Sequence, residues 1–103
     1  MESALAAHIS LHYSENETSE KLAALFHLSE SQLRRRFVAL YGMPPIAYRN
    51  FLRCKIGAEL LLRTDITINV LSEQLGFSSP AEFYRSFKKQ FGIAPSEFRK
   101  AKK

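Results

Sequence analysis

A single cysteine among 103 residues, Cys54, excludes an intramolecular disulfide and fits a reducing cytosol. Long apolar runs are missing too. Even runs such as Leu22 to Phe26 fall far short of the roughly 20 residues that a membrane-spanning helix needs. Met1 is followed by Glu2, with no basic stretch and no extended apolar segment, so no secretory signal is expected and the chain reads as cytoplasmic. No segment alternates apolar and polar residues for long, and neither Asn-Gly nor Asp-Gly occurs, which argues against strands joined by tight hairpins. Glycine-rich phosphate loops, a distinctive Ser-His-Asp pattern and His-Glu-x-x-His are all absent, so neither an enzyme nor a cofactor is expected. His8 and His12 stand four apart and could share a helix face, but with no acidic or cysteine ligand close in sequence they are not expected to hold a metal. His27 reads as a turn residue and Cys54 as inert packing.

What the chain has is repetition. Leu33, Arg35, Phe37, Tyr41, Gly42, Pro45, Tyr48 and Arg49 reappear as Phe83, Arg85, Phe87, Phe91, Gly92, Pro95, Phe98 and Arg99, each fifty positions on. Helical spacing runs throughout, so the expected fold is all-α, with about seven helices. A first helix covers Ala4 to Tyr13, with Leu5 and Ile9 on one side, and a polar loop leads into a short helix ending near Phe26. In the next helix Ser29 as N-cap and Gln32 three residues later form a capping box, and Leu28 can staple onto Leu33. Gly42 occupies the left-handed position past the helix end, and Pro44-Pro45 prevents continuation. The second copy repeats the device: Ser79 caps, Pro80 takes the first helical position, Glu82 closes the box, and Gly92 then Pro95 end the helix. One extra residue in the second turn shifts the offset from 49 to 50.

Between the copies, Ile46 to Leu62 reads as one helix of roughly 25 Å, with Leu52, Ile56 and Leu60 as its apolar stripe. Thr64-Asp65 breaks it and Thr67 caps a short helix to Leu75. The domain reading is a first helix-turn-helix lobe over 1–44, a linker helix over 45–63, and a second lobe over 64–103. Lys100, Lys102 and Lys103 are expected to form a disordered basic tail. A strut of that length could present two reading helices to successive major grooves, about 34 Å apart on B-DNA.

On a helical wheel centred on Leu33, Phe37, Leu40 and Tyr41 fall within about 80°, and Arg35 lies opposite. In the second copy Phe83, Phe87 and Phe91 face inward while Arg85 faces out. A lone Arg34-Arg35-Arg36 run is usually a solvated basic face. The same outward arginine on two capped helices after tight turns fits reading of guanine O6 and N7, for which the guanidinium fork is suited. Arg36 lies nearer the core edge, where its stem can cover Phe37. Glu82 could accept from cytosine N4 or be spent on its cap. Gln32, Arg49, Lys88, Lys89 and Arg99 suit phosphate contacts. The net charge of +5 favours a polyanionic partner.

The run Leu75-Gly-Phe-Ser-Ser-Pro-Ala-Glu-Phe-Tyr-Arg-Ser-Phe-Lys-Lys-Gln-Phe-Gly-Ile-Ala-Pro-Ser-Glu-Phe-Arg99 carries a recognisable signature: Gly-Phe, an aromatic, Arg, Phe-Lys-Lys, Gly and Pro-x-x-aromatic-Arg. With Tyr48, Arg49, Arg53, Ala58 and Leu60-Leu61, it resembles the DNA-binding domain of the AraC/XylS family of bacterial transcription regulators, over about Ala4 to Lys100. The resemblance implies two helix-turn-helix lobes joined by a long helix and bound to double-stranded DNA at asymmetric sites in successive major grooves. The family's base-reading positions fall on Ser31, Arg34, Arg35, Ala81, Glu82, Tyr84 and Arg85. RNA polymerase is implied as a protein partner, as is an N-terminal effector or dimerisation domain absent from these residues. His27 and Ser72 depart from the family's frequent Gly and Ala, and at the small Ser31 and Ala81 reading is expected to be weak or limited to a thymine methyl. The competing reading is a helical protein-interaction module that binds an acidic partner such as RNA polymerase. Duplex RNA is disfavoured because its narrow major groove would not admit these helices.

Overall fold

The computed structural model describes residues 2–102, with the side chains of residues 4–101. Among the described residues there are seven helices and no strands: α1 (Glu2–Leu11), α2 (Ser19–Leu25), α3 (Glu30–Tyr41), α4 (Pro45–Arg63), α5 (Ile68–Leu75), α6 (Pro80–Phe91) and α7 (Pro95–Lys102). They fall into two compact units, Met1–Asn50 and Phe51–Lys103, divided inside α4.

Each unit is closed by the same aromatic device. In the first, the rings of Phe37, Tyr41 and Tyr48 lie 4.6, 5.2 and 5.5 Å apart, taken pairwise. In the second, Phe87, Phe91 and Phe98 reproduce the triangle at 4.5, 5.2 and 5.5 Å. Phe37 and Phe87 are fully buried at the two centres. Aromatic pairs at such separations add to simple burial. Around the first centre pack Leu5, Ile9, Leu22, Ala23 and Leu33, and around the second Leu71, Leu75, Phe77 and Phe83.

Gly42 and Gly92 end α3 and α6 at φ 77° and 83°, a left-handed conformation that favours glycine. Both sit where the sequence places a helix stop.

Several expectations need correction. α1 runs from Glu2 to Leu11, not from Ala4 to Tyr13. His12 and Glu15 take the chain into a turn, through the Glu15 N–H on the His12 carbonyl and the His12 Nδ1 on Glu15 Oε2 at 2.6 Å. Leu40 points along the core direction of α3 yet is 57% exposed. A wheel fixes direction, not whether another element stands opposite.

The α4 stripe is also displaced. Leu52, Ile56 and Leu60 are only half-buried, whereas Arg53, Cys54, Gly57, Ala58 and Leu61 are buried. Small side chains let the neighbours come close: a Cβ on Gly57 would stand 2.9 Å from Leu75 Cδ1 and 3.3 Å from the Phe83 ring. Burial pushes the Cys54 thiol up from 9.0 to about 12.

The basic tail is not irregular over its described part, because α7 continues through Lys100 to Lys102. Phe98 and Arg99 hold that helix to the unit. Lys103 lies outside the described residues.

Candidate nucleic-acid interface

The two turns that precede α3 and α6 are built alike. The Leu28 N–H reaches the Ala23 carbonyl at 2.9 Å and the His27 N–H the Ala24 carbonyl at 3.2 Å. In the second unit the Phe77 N–H reaches Ser72 O at 3.1 Å and the Gly76 N–H Glu73 O at 3.0 Å. This is the Schellman pattern, which requires a left-handed residue just past the helix. Gly76 supplies it at φ 95°. His27 supplies it at φ 58°, the one positive φ outside glycine among the described residues.

The second turn has a further support. Arg53, only 2% exposed, donates from Nη1 to the Gly76 carbonyl at 3.1 Å and lies with Cζ 5.4 Å from the Phe77 ring centre. Buried Ser72 is satisfied by donating from Oγ to the Asn69 carbonyl at 2.9 Å.

Both reading helices are capped as expected at their first turn. Ser29 Oγ accepts from the Gln32 N–H at 3.1 Å, and Gln32 Oε1 accepts from the Ser29 N–H at 2.9 Å, closing the box. Ser79 Oγ accepts from the Glu82 N–H at 3.1 Å. The return bond differs from expectation. Glu82 Oε1 takes the N–H and hydroxyl of Ser78, at 2.8 and 3.2 Å, where a closed box would take the N–H of Ser79. The longer second turn brings Ser78 into the place that its neighbour was expected to fill.

Beyond the caps, Ser31, Gln32, Arg34 and Arg35 on α3 are exposed, as are Ala81, Tyr84, Arg85, Lys88 and Lys89 on α6, while Glu82 is half-buried. Arg35 lines a surface hollow of about 360 Å³ with Gln32, Arg36 and Ala39. Arg85 lines another of about 580 Å³ with Ile68, Asn69, Pro80, Ala81 and Tyr84. The arrangement gives each unit a capped helix with a guanidinium on its outer face.

Arg49 and Arg99, expected on phosphates, are half-buried and donate to backbone carbonyls. Arg49 donates from Nη1 to the Glu17 carbonyl at 2.7 Å. Arg99 donates from Nε to Leu61 O at 3.0 Å and from Nη2 to Thr64 O at 3.2 Å. For Arg99 the acceptors lie at the C-terminal end of α4, where carbonyls lack partners within the helix and a cationic donor also suits the helix dipole. Sequence spacing could not reveal acceptors that lie more than thirty residues away.

The premise that no acid stands near the histidine pair is corrected, since two acids do reach it. His8 Nε2 meets Glu17 Oε1 at 2.8 Å, His12 meets Glu15, and the two imidazoles stack at 4.5 Å. The hydrogen bond from His12 holds the Glu15 carboxyl below its ordinary range.

A family model for a helix-turn-helix domain matches residues 22–101. Among curated proteins, the HTH-type transcriptional regulator MtrA of Neisseria gonorrhoeae is 35% identical over 79% of this chain and 27% of its own length. The RCS-specific HTH-type transcriptional activator RclR of Escherichia coli K12 is 32% identical over 80% of this chain and 29% of its own. The chain thus spans less than a third of either regulator. Among solved structures, the DNA-binding domain of AdpA in complex with a target DNA superposes with a TM-score of 0.91 at 28% identity, covering 97% of this chain and 90% of that one. The C-terminal domain of AraT, a response regulator from Geobacillus stearothermophilus, also gives 0.91 at 28% identity, covering 97% and 84%.

Proposed function

The chain belongs to the AraC-type helix-turn-helix family, and on that premise we propose that it is a sequence-specific double-stranded DNA binder that controls transcription. Its two reading lobes, 1–44 and 64–103, are joined by the linker helix 45–63, and α3 and α6 enter successive major grooves. The observation that carries this reading is the recurrence of an exposed arginine at the same place on two capped helices, Arg35 and Arg85, fifty residues apart.

Arg35 and Arg85 read guanine through bidentate hydrogen bonds, with Ser31 and Arg34 beside the first and Ala81 and Tyr84 beside the second. Glu82 takes part through whichever oxygen Ser78 leaves. Gln32, Lys88 and Lys89 hold phosphates. Gln32 suits that role because its capping bond uses Oε1 and leaves the amide N–H groups to donate. In a full-length regulator this module acts with an N-terminal effector or dimerisation domain and contacts RNA polymerase. A cytoplasmic setting fits its reduced, buried cysteine. Among the described residues no helix is long and apolar enough to cross a membrane.

Selection from a random duplex library at fixed near-physiological salt tests the reading. Two short unequal boxes about one helical turn apart are expected, with affinity that falls steeply as salt rises. Arg35→Ala and Arg85→Ala should each weaken the selected site by about 1–3 kcal/mol while circular dichroism keeps its helical signal. Salt-sensitive binding to every duplex with no enrichment would overturn it.

A further inference from the structure

The two units carry a hollow at the same place, between the start of the first helix of the pair and the reading helix, but line it with opposite chemistry. Thr18 and Thr67 are equivalent N-caps of α2 and α5, so Ser19 and Ile68 are equivalent first helical residues. Ser29 and Ser79 likewise cap α3 and α6, so Glu30, Ser31 and Arg34 correspond to Pro80, Ala81 and Tyr84. In the first unit a hollow of about 270 Å³ is lined by Ser19, Glu30, Ser31 and Arg34, closed by Leu33 and the two prolines after α3. In the second, the hollow of about 580 Å³ is lined by Ile68, Pro80, Ala81 and Tyr84, with Asn69 and Arg85 at its edge. Three of the four matched positions change from polar or charged to apolar, and the fourth from arginine to the largely apolar ring of Tyr84. Tyr84 remains 44% exposed, so an apolar surface is left open beside a guanidinium.

Resting on the DNA-binding reading above, we propose that this apolar hollow is a thymine-methyl site. The second lobe selects a thymine next to the guanine held by Arg85, recognising it by its C5 methyl, whereas the first lobe reads its box by hydrogen bonds alone. In the major groove only thymine presents a methyl group among the four bases, and apolar side chains recognise it by contact. Arg85 supplies the charge complementarity that brings the polyanion to this face. Ile68, from the neighbouring helix, becomes a specificity residue although it lies outside the reading helix.

Replacing thymine by deoxyuridine removes that methyl and leaves the hydrogen-bonding edge intact. The test takes the duplex enriched by selection, replaces thymines one at a time, and measures competition at fixed salt. One or two positions in the box of the second lobe should weaken by about fourfold, the ratio that burial of one methyl group corresponds to, while positions in the first box should change by less than about twofold. In Ala81→Ser, a substitution at an exposed site, the ratio of thymine-duplex to uracil-duplex affinity should fall to about one. Ile68→Ser should do the same, with its urea midpoint reported alongside. An enriched duplex that tolerates uracil everywhere, or that loses equally in both boxes, overturns the thymine-methyl site and leaves the DNA-binding reading standing. No enriched duplex at all overturns both.

Discussion

The two turns solve one geometrical problem with different residues. Gly76 adopts its left-handed conformation without a side-chain clash, and a buried arginine takes its carbonyl. His27 adopts the same conformation with a Cβ in place, which costs an L-residue about 1–2 kcal/mol. Elsewhere the units agree closely, in their aromatic triangles, their helix-ending glycines and their paired arginines on backbone carbonyls. What is repeated is what packing demands. What differs lies in the turn and on the outward face, where the core sets few constraints.

The largest test of this comparison strikes the shared frame. Phe37→Ala and Phe87→Ala should each cost about 3–5 kcal/mol in urea unfolding followed by circular dichroism. Phe87→Ala should cost more, because three rings surround Phe87 and two surround Phe37. Equal costs would mean that the extra ring, Phe83, adds nothing.

The paired arginines come next. Arg99→Ala should lose about 2–3 kcal/mol by leaving the Leu61 and Thr64 carbonyls without their charged donor, and Arg49→Ala a similar amount. Neither should change the slope of log affinity against log salt. A slope that falls by about one would return that arginine to a phosphate.

Gly57 sharpens the contrast between the buried and half-buried faces of α4. Gly57→Ala gains helix propensity but drives a methyl to within 2.9 Å of Leu75, so a net loss of about 1 kcal/mol is expected in the same urea assay. A gain in stability would show that Leu75 gives way freely.

The smallest effect separates the turns themselves. His27→Gly should raise the unfolding free energy in the urea assay by up to about 1 kcal/mol, the relief of strain being partly offset by a freer unfolded chain. Gly76→Ala should lower it. A destabilised His27→Gly would mean that the imidazole makes contacts worth more than the strain.

Much of this frame was legible because it is local. Caps, glycine stops and apolar periodicity act within a few residues, so Ser29, Gly42, Thr67, Ser79 and Gly92 announced the helices they bound. Inward Phe37 and outward Arg35 followed from helical period alone. What escaped the sequence is tertiary. Carbonyls of Glu17 and Leu61 capture Arg49 and Arg99 from across the fold, and no spacing rule points to them. The buried face of α4 is marked by small residues, so a search for large apolar side chains chose the flank. Glu82 needed the exact length of a turn. The opposed linings of the two hollows were written in the sequence, but only a register between α2 and α5 makes Ser19 and Ile68 comparable.

Three of the fifteen lysines and arginines, Arg49, Arg53 and Arg99, have guanidinium nitrogens on backbone carbonyls. The formal charge of +5 therefore mixes two populations, cations that face solvent and cations that also serve as internal scaffolding. Exchanging all three for neutral residues would lower the formal charge from +5 to +2, so the side chains that hold the fold also set much of how the protein behaves as a colloid.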